Sequence, residues 1–362
     1  MAKTLVYQLY PISWEKQGGL KAMAEHLEVI NYLGADYVWL SPLYPSPRCD
    51  YGYDIADYQD IDSRLGTMAD FDSFIKIAHR YGIGVIMSLV LNHTSINHYW
   101  FEEHPEYYCW SEPDFPHHWK SPFNDSDAWK YDGKRQKYYL NLFNKNQADL
   151  NWFPRRERIN KDLVKEFQRI IRFWGEKHGV DGFHLSTVQA VNKDLSWLEI
   201  HLPDLIFGDP PKEVIKTVFQ GSNDYFIIMN CPDPTYGGLT DFYYNSTPID
   251  YLINISVKDV FSEDKSEFMR IVESASSDPG FMLALESHDS MRFPSRGISP
   301  KSALEIMFGS KADGICLYQG QELGLSTPAN LALPLHEYKY QLTDNDSYLN
   351  LTKNLIDDWK TK

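Results

Sequence analysis

The sequence predicts an α/β fold, a parallel (β/α)8 barrel of the TIM type with one long insertion after the third strand. Short apolar runs alternate with segments of helical apolar spacing through most of the chain. The loops after the runs are long and aromatic, and those before them are short, as in a barrel whose working face lies at the C-terminal ends of its strands. The length, 362 residues, suits a barrel with an inserted subdomain.

Residues 5–10 form the first expected strand, ending at Pro11. Residues 20–33 carry apolar residues at helical spacing and stop at Gly34. Strand 37–40 ends in Ser41-Pro42, and a loop rich in Pro, Tyr and Asp leads to helix 68–81 and strand 84–91. Residues 95–158 break the rhythm. They are dense in Trp, Tyr, His, Pro and Asp, with short strand-like pieces such as 137–142. A loop this long inside a compact domain is functional or disordered, and the aromatic content argues against disorder. The rhythm resumes with helix 161–178, strand 181–186, a helical segment 187–224 broken at Pro210-Pro211, and strand 225–230. Strand 251–256, helix 263–275, strand 281–286, helix 301–309, strand 314–318 and helix 345–360 complete eight strands. The expected organisation is therefore 1–94 as the first part of the barrel, 95–158 as the insertion, and 159–362 as the remainder.

The 24 Tyr, 19 Phe and 10 Trp exceed what a core needs, and such an excess lines clefts that stack on flat apolar faces. The formal net charge of −15 disfavours nucleic acid and anionic membranes, which need basic patches. Cys49, Cys109, Cys231 and Cys316 are widely spaced and form no CxxC, so neither disulfides nor zinc is expected. No apolar run reaches membrane-spanning length, and the N-terminus carries no signal-peptide pattern, so a cytoplasmic location is expected.

Residues 180–187, Val-Asp-Gly-Phe-His-Leu-Ser-Thr, deliver His184 and Ser186 to the tip of the fourth strand. A serine with no evident base is a poor nucleophile. Several blocks occur in one order: Gln8-Leu9-Tyr10-Pro11, Trp39-Leu40-Ser41-Pro42, Tyr51-Gly52-Tyr53-Asp54-Ile55-Ala56-Asp57-Tyr58, Val90-Leu91-Asn92-His93-Thr94-Ser95, Gln147-Ala148-Asp149-Leu150-Asn151-Trp152, Gly179-Val180-Asp181-Gly182-Phe183, His288-Asp289 and Tyr318-Gln319-Gly320-Gln321-Glu322. With these blocks the chain resembles the α-amylase superfamily of retaining α-glycosidases, in its α-glucosidase and oligo-1,6-glucosidase branch, over about residues 1–325.

The resemblance implies a barrel with an inserted domain B. It also implies that the family's C-terminal β-sandwich is absent, because one last helix follows the blocks. Retaining glycosidases use two carboxyl groups about 5–5.5 Å apart. Carried over residue by residue, the nucleophile position falls on Ser186, and the arginine that normally holds that nucleophile on His184. The acid/base position falls on Asn230, with Cys231 as the neighbouring alternative. Asp289 keeps the third carboxylate, and Ser88 replaces an aspartate of the third strand. Tyr53 and Asp54 match a sugar platform, His93 and His288 hydroxyl donors, and Arg292 a clamp. The loop after strand one offers a single carboxylate, Glu15, where relatives bind calcium; calcium takes about six to eight oxygens, so no metal and no cofactor is expected.

Three readings follow. The first is a catalytically impaired or inactive homologue that binds an α-glucoside or oligosaccharide. The second is an active hydrolase with relocated carboxylates drawn from Asp289, Glu286 or Asp233. The third is a scaffold or regulatory subunit acting through a protein partner.

Overall fold

The computed structural model describes residues 3–112, 120–121, 126–154, 158–186, 188–191, 212–222, 224–231, 249–254, 269–270, 272–273, 280–288, 290, 292–326 and 347–362. Eight parallel strands close into a barrel: β1 Thr4–Leu9, β2 Tyr37–Leu40, β3 Gly84–Val90, β4 Gly182–Ser186, β5 Phe226–Cys231, β6 Tyr251–Asn254, β7 Phe281–Ala284 and β8 Gly314–Tyr318, with β8 pairing back onto β1. All eight expected strands are present. Helices α1 Leu20–Leu33, α2 Met68–Arg80, α3 Lys161–Arg172, α4 Lys212–Val218, α5 Pro300–Gly309 and α6 Tyr348–Thr361 are the longer helices among the described residues. Most of the expected helix 263–275 and most of 187–211 lie outside the described residues.

Local chemistry sets these elements. Gly34 takes the left-handed conformation that closes α1 (φ 79°). Thr67 and Asp70 form a reciprocal capping box that starts α2. The expected helix 161–178 is α-helical only to Arg172 and continues as a π turn, Phe173–Lys177. Gly175 sits in that turn, and a Cβ there would lie 2.0 Å from the Tyr225 hydroxyl, so only glycine lets the two segments meet.

A repeated device closes the N-terminal end of the barrel. Asp36, Asp181 and Asp250 each precede an even-numbered strand. Their backbone N–H groups donate to the carbonyls of Leu5, Val85 and Ile227, each the second residue of the preceding odd strand. Their Oδ2 atoms accept the N–H of those same residues at 2.8, 2.7 and 2.7 Å. Each carboxylate therefore staples one strand pair. Above this ring, alternation divides the side chains. Phe183 and Leu185 pack outward under the helices, whereas Val6, Trp39, Ile86, Ile228, Ile253 and Cys316 fill the interior.

Between β3 and β4 the chain forms two small antiparallel sheets. His93–Ser95 pairs with Gln147–Asp149, and Lys137–Leu140 pairs with both Trp110–Ser111 and Trp129–Asp132. Pairing begins at His93, two residues before the break in rhythm read from the sequence.

Behind the barrel, His26 on α1 is buried, and its Nε2 lies 3.0 Å from the Tyr7 hydroxyl, which donates to Glu322 at 2.6 Å. His98 accepts the Trp100 N–H at Nδ1 and so caps the short helix Tyr99–Glu103. Burial pushes both imidazoles down to about 3, with the Arg169 charge adding to the effect at His98. The unfolded chain takes up these protons near pH 6.5 while the folded chain does not. Stability therefore falls as pH drops from about 6.5 toward 3, by up to about 1.4 kcal/mol per pH unit per histidine. His26→Gln keeps an N–H for Tyr7 and removes the titration. Denaturant unfolding between pH 6.5 and 4.5 is expected to show a slope shallower by about that amount, and an unchanged slope would contradict this assignment.

Candidate active site

The C-terminal tips of β2 to β5 carry the residues expected at the catalytic positions. Register sets His184 beside Ser88 on β3 and beside Ile228 on β5, with Asn230 one inward step above Ile228. The Trp39 indole donates to Ser88 Oγ at 2.9 Å. Ser88 Oγ lies 3.2 Å from His184 Nδ1, and His184 Nε2 lies 3.0 Å from Asn230 Oδ1. The amide oxygen can only accept, so His184 donates from Nε2, and in the neutral tautomer its Nδ1 accepts a hydrogen bond from the Ser88 hydroxyl. The result is a hydrogen-bonded chain from Trp39 through Ser88 and His184 to Asn230, and none of its four members is a carboxyl group. The Trp39 and His184 rings lie 4.0 Å apart between centroids, and His184 is 0 % exposed.

This chain fixes what Ser186 can do. Ser186 is buried at the end of β4, on the same face as His184. A serine nucleophile needs a base within about 2.6–3.2 Å. Both nitrogens of His184 already serve Ser88 and Asn230. Ser186 lies two residues along β4 from His184, which meets Asn230, so the described groups at these tips are amide, hydroxyl and imidazole.

Across the barrel mouth, the His288 imidazole is sandwiched between two tyrosines. Tyr10 stacks on it at 4.9 Å and 15°, and Tyr53 at 5.4 Å and 16°. Asp289 lies outside the described residues. Arg292, expected as a clamp on sugar, is placed differently. Its guanidinium is 1 % exposed and donates to Glu286 Oε2 at 2.8 Å and to the Gln319 carbonyl at 2.9 Å, with Tyr318 beneath it at 4.9 Å. Two of its donors are engaged inside the protein, and through them it holds the chain after β7. The other Glu286 oxygen accepts the Phe293 N–H at 2.7 Å, so this carboxylate is engaged at both ends.

Asp54, expected to bind sugar hydroxyls, also has internal partners. It is 0 % exposed and accepts from the Ser46 hydroxyl at 2.7 Å, the Cys49 N–H at 2.8 Å and the Asp50 N–H at 3.3 Å. Three donors from residues 46–50 converge on it, and it organises that loop. His93 is buried, with Asn92 Nδ2 at 3.1 Å and Gln147 Nε2 at 3.0 Å, and Gln147 donates onward to Asp50 at 2.8 Å. Sequence reasoning gave no role to Tyr10 or Gln147, although both stand in the motif blocks. The position of Tyr10, one residue past the end of β1, is the signal that finds it. Among the described residues, no group of three or more His, Cys, Asp and Glu side chains could hold a metal ion, and no helix is long and apolar enough to cross a membrane.

Comparison with known proteins identifies the family of the chain. A family described as "Alpha amylase, catalytic domain" matches residues 8–233, more than half of the chain. An oligo-1,6-glucosidase of Parageobacillus thermoglucosidasius is 38% identical over 246 residues, 64% of this chain and 40% of that protein. A trehalose-6-phosphate hydrolase of Escherichia coli (strain K12) is 38% identical over 205 residues, 52% of this chain and 36% of that protein. The matched stretch thus spans about two fifths of these relatives' length. The crystal structure of Bacillus licheniformis trehalose-6-phosphate hydrolase superposes with a TM-score of 0.85 at 24% identity, covering 100% of this chain and 84% of that one.

Proposed function

The chain belongs to the alpha-amylase catalytic-domain family, and on that premise we propose that it binds α-glucosides while its hydrolytic chemistry is lost or severely impaired. The observation that carries this reading is the carboxyl-free hydrogen-bonded chain Trp39–Ser88–His184–Asn230 at the tips of β2 to β5. A retaining glycosidase needs one carboxylate to attack the anomeric carbon and a second carboxyl group to protonate the leaving oxygen. Serine, histidine and asparagine, hydrogen-bonded to one another, supply neither. An amide cannot serve as the general acid.

Binding is supported by the aromatic mouth. Tyr53, half-buried and backed by His288 and Tyr10, offers a flat apolar face of the kind that stacks on a pyranose ring. The insertion 95–158 is part of the proposal as domain B, the wall of that mouth, through the Gln147 contacts to His93 and Asp50. The names of the relatives point to isomaltose-like and trehalose-like glucosides as the ligand class.

Isothermal titration with isomaltose and maltose, beside a glucosidase assay on the same preparation, tests both halves. Saturable binding with no turnover is expected. Turnover at ordinary enzyme rates of roughly 1–1000 per second would overturn the impairment, and absence of binding to any α-glucoside would overturn the ligand class.

A further inference from the structure

One residue at the mouth is at odds with the local backbone. The Asp50 carbonyl accepts the Tyr53 N–H at 2.8 Å, and the two residues between them have positive φ, 49° at Tyr51 and 96° at Gly52. This is the pattern of a type I′ turn, whose first central position favours Asn, Asp or Gly. Tyrosine is a poor choice there, because a bulky side chain in the left-handed region is strained. Packing does not account for the ring, since Tyr51 is 57% exposed. The turn is held by other groups. The Tyr10 hydroxyl donates to the Tyr51 carbonyl at 3.1 Å, and Gln147 donates to Asp50. The same Tyr10 stacks on His288, which stacks on Tyr53. A strained, exposed aromatic therefore stands two residues from the proposed sugar platform, on a backbone anchored to the β1 tip and to the insertion. Strain that stability does not explain is a mark of a functional position.

We propose that Tyr51 is a stacking platform for the second sugar unit of an oligosaccharide whose first unit rests on Tyr53. The proposal rests on the α-glucoside-binding reading above and extends it: the ligand class is an α-linked chain of at least two units. Tyr51 lies further into solvent than Tyr53, so a ring stacked on it belongs to the unit nearer the outside.

Two variants separate the ring from the backbone. Tyr51→Asn suits the left-handed turn and removes the aromatic face, and Tyr51→Phe keeps the face. Titration with isomaltotriose and with methyl α-D-glucopyranoside is the measurement. Tyr51→Asn is expected to weaken isomaltotriose about tenfold, to leave methyl α-D-glucopyranoside unchanged, and to raise Tm by about 1–2 °C through relief of strain. Tyr51→Phe is expected to keep the wild-type affinity for isomaltotriose. Equal weakening of both ligands by Tyr51→Asn, or no change in either, would overturn the proposal while leaving the general binding reading intact. A wild-type protein that binds neither ligand would overturn both.

Discussion

Replacing His184 by arginine is expected to destabilise the protein by about 3–5 kcal/mol, the range for an uncompensated buried charge. His184 is buried between Trp39, Ser88 and Asn230, and none of these three is an anion. A guanidinium there would lose its water, and none of the described residues hydrogen-bonded to this position is a carboxylate. Asn230 Oδ1 could accept one N–H, and the other donors would compete for Ser88 Oγ, which already takes the Trp39 indole proton. Adding Ser186→Asp supplies the missing charge two residues along the same strand face, so the double variant is expected to recover most of the loss. The coupling between the two sites is measured by denaturant unfolding as a double-mutant cycle. Purely additive effects would show that the strand-four tip carries no memory of a charged pair.

The second large effect is at Arg292 and Glu286. Each is almost wholly buried, and they meet at 2.8 Å. Arg292→Met removes the guanidinium that Glu286 faces at one of its oxygens, and about 3–5 kcal/mol should be lost, equivalent to a Tm fall of about 4–7 °C for a chain of this length. Pairing Arg292→Met with Glu286→Gln should recover part of that loss, because the stranded charge is gone. Scanning calorimetry of the two variants decides between this role and a ligand clamp. A clamp would leave Tm unchanged and alter only sugar affinity.

The two residues also show what the sequence could and could not reveal. The barrel was legible because each strand is a short apolar run bounded by turn residues, and each of the longer outer helices shows apolar spacing; even Gly34 and Gly179 marked element ends correctly. The positions of His184, Ser186 and Asn230 were legible because alternation along β4 and β5 sends them inward. The partners of Arg292 and Asp54 were not. A spacing of six residues between Glu286 and Arg292 has no periodic signature, and their meeting depends on the short 3-10 helix Phe293–Arg296 folding back against β7. Asp54 reads as a sugar ligand from its neighbours, while its hydrogen bonds within the chain are set by how residues 46–50 curl, with Arg48 and Tyr51 both at positive φ. The His288 sandwich joins Tyr10, Tyr53 and His288 across the length of the chain, so only closure of the barrel creates it. The aspartate staples at Asp36, Asp181 and Asp250 were present in the sequence as a residue type recurring before even strands. Their meaning appears only when each carboxylate is seen to accept a specific backbone N–H.

The central claim is that a hydrogen-bonded chain without a carboxyl group stands where a retaining glycosidase carries its two carboxyl groups. Its most direct test is a stoichiometric reaction. The wild-type protein is mixed in excess over 4-nitrophenyl α-D-glucopyranoside, released nitrophenol is followed by absorbance, and the intact protein is weighed by mass spectrometry. The account predicts no nitrophenol above the no-protein control and no protein species heavier by one glucosyl unit. A burst of nitrophenol with a glucosylated protein, mapped to any side chain at the barrel mouth, would contradict it.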